Sequence, residues 1–181
     1  MTFKGKTNDE NILKAKALSL ALVIVQIVRQ NTEEFIKLYN NDNSISLGEL
    51  FIEIASIFLL FIDRVAFSLL GEKNRAFFMD NLDEEFVALS LKTNYKENAD
   101  LMFDPFYSDL SKRFDEYSKL PFVKEINNSP KGTQLWEFAK NVAKILRKEK
   151  DVFIIMSVQL LILSDFATLQ LDELLVGSQN L

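Results

Sequence analysis

Residues 46–71 read SLGELFIEIASIFLLFIDRVAFSLLG, a stretch that opens on Ser46, closes on Gly71 and contains no proline. Ser46 precedes Glu49 by three residues, the spacing of a capping box, in which the two side chains satisfy backbone N–H groups at a helix start. Gly71 stands where a helix ending in left-handed backbone places its glycine. The stretch therefore predicts a helix from Leu47 to Leu70. Its apolar stripe is Leu50, Phe51, Ile54, Ala55, Phe58, Ile62, Val65, Ala66 and Leu69. The opposite face, Glu49, Glu53, Ser56, Leu60, Asp63, Arg64 and Phe67, is only half polar. A helix needing cover on more than one side is central in its bundle or sits at a subunit contact.

The same signals extend outward in both directions. From Asp9 to Tyr39 the β-branched centre Val23-Ile24-Val25 looks locally like a strand, but the apolar pattern continues through Phe35, Ile36 and Leu38 without glycine or proline, which favours a helix. After Gly71 a further helix is expected to bury Phe77, Phe78, Leu82, Phe86 and Leu89. Asp104-Pro105 reads as cap and first turn of a helix from Pro105 to Leu120, stopped by Pro121. Thr133 can cap a helix with Leu135, Phe138, Ala139, Val142, Ile145 and Leu146 inside. A last helix, from about Asp151 to Val176, is expected to turn Phe153, Met156, Leu160, Leu163, Ala167, Leu171 and Leu174 inward. Its polar strip would be Ser157, Ser164, Asp165, Thr168 and Asp172.

Turn-forming stretches at Asn40 to Ser46, Thr93 to Asp100 and Asn127 to Thr133 separate these helices, and none is long enough for an interdomain linker. The expected fold is an all-α, single-domain bundle of about six helices with central, highly apolar members, spanning residues 1–181 with 1–8 and 177–181 as frayed ends. A chain of this length can bury roughly 70% of its unfolded surface. Sixteen phenylalanines supply that core, an interface or an apolar pocket.

The net charge of −5 disfavours nucleic acid as a partner. The absence of cysteine removes disulfides and fits a reducing, cytoplasmic setting. Ala17 to Val28 and Val152 to Leu163 are nearly uninterrupted apolar runs of 12 residues each, short of the about 20 that a membrane-spanning helix requires, so no span is expected.

With neither histidine nor cysteine, the chain has no imidazole base, thiol nucleophile or N/S-ligated zinc site. No glycine-rich phosphate loop occurs among its five glycines, and no cofactor is implied. Carboxylates remain. Asp80, Asp83 and Glu84 share one helical face and would suit Mg²⁺ held through a substrate phosphate, although a solvated acidic turn explains them as well. Asp63 and Arg64 interrupt an apolar helix and need partners, with Arg75 placed to fold back towards Asp63 as a structural ion pair. The stripe Lys140, Lys144, Arg147 and Lys148 reads as a solvated basic face or a contact for an acidic partner. Phe58, Phe61 and Phe153 are candidates to line an apolar pocket. The favoured functional expectation is a non-catalytic interaction protein: a homo-oligomer such as a dimer, or an adaptor or regulatory subunit with a protein partner. The alternatives are a helical module that binds an apolar small molecule and a carboxylate-dependent, Mg²⁺-using phosphohydrolase-like enzyme.

Overall fold

The computed structural model describes residues 4–39, 45–95, 99–122 and 130–176. It is all-α, with no strand among the described residues: α1 (Lys4–Tyr39), α2 (Leu47–Tyr95), α3 (Ala99–Ser118), α4 (Gln134–Ile145), α5 (Val152–Thr168) and α6 (Leu171–Val176). The expected loop residues 40–44, 96–98 and 127–129 and the termini 1–3 and 177–181 lie outside the described residues.

Local chemistry sets the helix boundaries. Ser46 Oγ accepts from Glu49 N at 3.3 Å at the start of α2, Thr133 Oγ1 accepts from Trp136 N at 3.4 Å at the start of α4, and Asp151 Oδ1 accepts from Phe153 N at 3.0 Å at the start of α5. Within α2, Gly71 departs from helical geometry at φ 71°, ψ 168°, a region essentially confined to glycine. The expected helix end is thus a kink after which helix resumes.

Three boundaries differ from expectation, the first being that α1 begins at Lys4, within the stretch expected to fray, rather than at about Asp9. α3 begins at Ala99, so Pro105 lies inside the helix and Asp104 is not its cap. The missing proline N–H costs the ladder one bond, and burial of Phe106 and Leu110 just beyond it offsets that loss. The expected last helix breaks into α5 and α6 at Gln170, held at φ 44°.

The chain forms two compact units, Met1–Gln26, Phe61–Pro105 and Gln170–Leu181 in one, Ile27–Leu60 and Phe106–Leu169 in the other. In the first unit Leu20, Ile24, Phe78, Leu82, Phe86 and Leu171 are core residues, and Lys16 Nζ donates to Leu175 O at 2.7 Å, satisfying a carbonyl near the end of α6. In the second, ring pairs knit the helices: Phe51 with Phe106 at 6.1 Å, Phe58 with Phe166 at 6.2 Å and Tyr117 with Phe138 at 6.3 Å. Gln134, fully buried, ties the start of α4 to the residues after α3 by donating Nε2 to Leu120 O at 2.9 Å.

The half-polar face of α2 is not an outer face. Glu53, Ser56 and Leu60 are as buried as the apolar stripe, so this part of α2 is central and covered all round. Counted over eighteen-residue windows rather than as unbroken apolar runs, Asp9–Tyr39 and Val152–Val176 are long and apolar enough to cross a membrane, with 39% and 22% of those windows buried. The unbroken count of twelve understated both.

Candidate functional site

α5 carries the largest departure from the sequence pattern. Its buried side is Ile154, Ile155, Val158 and Ile162. The α5 part of the stripe expected inside faces out, whereas Leu171 of α6 is buried as expected: Phe153 is 83% exposed and Leu160 67%, while Met156 and Leu163 are about half exposed and Ala167 is exposed. The helix is apolar on every side, so hydrophobic contrast could not fix its rotation. Specific contacts do. Asn31 Nδ2 donates to Asp165 Oδ2 at 2.7 Å, turning one member of the expected polar strip inward, and the Phe166 ring packs tilted against Phe58.

The outward stripe Phe153, Met156, Leu160, Leu163 and Ala167 repeats at intervals of three, four, three and four residues, the seam of a coiled coil. Ser157 and Ser164 flank it, and no charged residue lies between Val152 and Ser164. With Val152 included, the patch presents on the order of 500 Å² of apolar surface, towards the upper end of the largest patches on monomeric proteins.

A second constellation is polar and buried. Glu53, in α2, is 1% exposed, and its Oε2 lies 3.1 Å from Arg113 Nε of α3. Arg113 Nη1 also donates to Glu116 at 2.8 Å. Asn141 of α4 lies beside the Glu53 carboxyl but donates Nδ2 to Tyr117 Oη at 2.8 Å, and Glu53 Oε1 has no well-formed hydrogen bond among the described residues. Burial raises the Glu53 carboxyl from 4.5 to about 7, outweighing Arg113 and Asn141, which lower it. In front of this cluster opens a cleft of about 510 Å³, lined by Ser46, Glu49, Arg113, Asn141, Lys144 and Arg147 with Ile45 and Ile145.

A third constellation joins α2 across its kink. Arg75 Nε donates to Asp63 Oδ1 at 2.6 Å, with Nη2 at 2.5 Å from the same oxygen. Arg64 points to the exposed side. Asp83 stands close enough to feel this pair. Burial, then the charges of Asp63 and Asp80, raise its carboxyl from 3.8 to about 7, with Arg75 opposing.

The other expected sites are not assembled. Asp80 and Glu84 are exposed while Asp83 is half-buried, and no group of three or more metal-capable side chains occurs among the described residues. Phe58 and Phe61 are buried core residues, whereas Phe153 lies on the outside, so the three do not line one pocket. On the basic stripe, Lys140 pairs with Glu137 at 2.8 Å, and Lys144 and Arg147 border the cleft. The Glu53 cluster was missed in the sequence, although a carboxylate set between Ile52 and Ile54 in a helix apolar all round is itself a signal that a partner must exist. Comparison with known proteins finds no matching family model, no matching curated protein and no matching solved structure.

Proposed function

We propose that this protein is a helical interaction module that self-associates through the outer face of α5. The observation that carries the reading is the exposed three–four heptad seam from Phe153 to Ala167, uncharged and only partly covered by the described chain.

A second copy is the partner that fits best. Pairing two α5 helices antiparallel about a two-fold axis at Leu160 sets Phe153 opposite Ala167, so that large meets small at both ends, and brings Met156 within one residue of register with Leu163. Parallel pairing would set Phe153 against Phe153 and Ala167 against Ala167. Two such patches bury on the order of 1,000 Å² together, the lower bound for a specific interface. An uncharged seam also offers nothing to a charged peptide.

The natural absence of cysteine makes the test direct. Leu160→Cys should cross-link to itself under mild oxidation, whereas Phe153→Cys and Ala167→Cys should cross-link only when mixed. Light scattering should report a dimer that Leu160→Asp converts to a folded monomer. A wild-type monomer at every concentration overturns the reading, as does a chain that dimerises equally well with Leu160→Asp. Binding of the monomer to phosphatidylcholine vesicles through Phe153 would instead make the seam a lipid contact.

A further inference from the structure

Asp63 and Arg75 stand twelve residues apart in sequence yet bond directly. In an unbroken helix that separation is about 18 Å of axial rise, more than the two side chains can span, so the kink at Gly71 folds the second arm of α2 back beside the first. Arg75, Met79 and Asp83 recur every four residues and share one face of that second arm, the face that Arg75 turns towards Asp63. Met79 is buried there, and Asp83 Oδ1 is buried with no hydrogen-bond partner among the described residues.

The charges on this face do not balance. Asp63, 13% exposed, already takes the Arg75 guanidinium, so an ionised Asp83 has no cation of its own and meets the negative charges of Asp63 and Asp80. The described charged groups on the other elements of this unit, those from Asp9 to Lys16 on α1, Asp104 on α3 and Asp172 and Glu173 on α6, do not act on it. The joint between the arms is exposed, and a Cβ on Gly71 would meet nothing within 4 Å, so no neighbouring side chain braces the turn on that side.

We propose that Asp83 is a proton-operated latch on α2: protonated, it lets the second arm rest against Asp63, and ionised, it drives the arms apart about Gly71 and frees the buried face around Met79. The closed form holds the Asp83 proton up to about 7, against 3.8 for the carboxyl in water. Between those values the closed form binds more protons than the open one, so opening grows as pH rises through the window and levels off above it. The latch changes state near neutrality.

Hydrogen exchange of the full chain at about pH 5.5 and about pH 8, read by mass spectrometry and corrected for the intrinsic rate of each amide, tests this. The window contributes about tenfold per pH unit up to its end, so segments of α2 around Asp63 and Met79 should lose about tenfold or more of their protection at the alkaline point. Asp83→Asn, which mimics the protonated acid, should keep its protection at both. Asp63→Asn, which removes the repelling charge and frees Arg75 for Asp83, should flatten the same pH dependence whatever its own stability. Protection of α2 that is equal at both pH values overturns the proposal, and so does a loss that Asp83→Asn retains. An Asp83→Asn effect spread equally over α4 also overturns it, because Asp83 would then act on global stability and not on the joint.

Discussion

Replacing Glu53 with glutamine should stabilise the protein, and more in mildly alkaline than in mildly acidic solution. The folded carboxyl titrates at about 7 against 4.5 when unperturbed, so between those values the folded state binds more protons than the unfolded state. Stability therefore falls as pH rises through that window, the reverse of the usual acid unfolding of a salt-bridged carboxylate. The interval from 4.5 to about 7, at about 1.4 kcal/mol per pH unit, sets a ceiling of about 3 kcal/mol. Arg113 is 39% exposed and water screens its side of the pair, so a difference of about 1–3 kcal/mol is expected. Urea unfolding of wild type and Glu53→Gln at about pH 5.5 and about pH 8 measures it. The lower pH stays above the isoelectric point of 4.9. At the acidic point the folded acid is protonated and nearly isosteric with the amide, so the variant should lead only by the cost of protonating the unfolded carboxyl, about 1.4 kcal/mol, and the lead should widen at the alkaline point. A Glu53→Gln variant less stable than wild type at the alkaline point would refute the argument, because the ionised pair with Arg113 would then outweigh its own desolvation.

Asp63→Asn should cost about 1–2 kcal/mol in chemical unfolding by weakening the bond to Arg75. It should also lower the Asp83 carboxyl, seen by NMR titration, because the neighbouring negative charge is gone. Gly71→Ala should destabilise by about 1–3 kcal/mol through backbone strain alone, since a Cβ there meets nothing within 4 Å. A neutral result in thermal unfolding would place the kink elsewhere. Phe58→Ala should cost about 3–5 kcal/mol by opening a cavity beside Phe166, whereas Phe153→Ala, measured on dilute protein, should change stability by no more than about 0.5 kcal/mol.

The helices and several of their boundaries were legible in the residues because their causes are local. Ser46, Thr133 and Asp151 cap the helices that follow them, and Gly71 breaks helical geometry, each by chemistry complete within a few residues. Pro105 shows the limit of local reasoning, since the packing of Phe106 and Leu110 carries the helix through it. The lack of histidine and cysteine narrowed the chemistry before any fold was known.

Which way the helices face was left to the tertiary structure. Periodicity fixes a rotation only where one side is polar, and both central α2 and α5 are apolar nearly all round. In α2 that ambiguity hid Glu53, whose partner Arg113 lies sixty residues away on α3. In α5 the heptad itself was plain in the sequence, but a heptad says only that a helix wants a partner. The bond from Asn31 to Asp165 and the contact of Phe166 with Phe58 hold the other side of α5 against the core. The seam from Phe153 to Ala167 is left outside because those contacts, and not hydrophobicity, set the rotation of the helix.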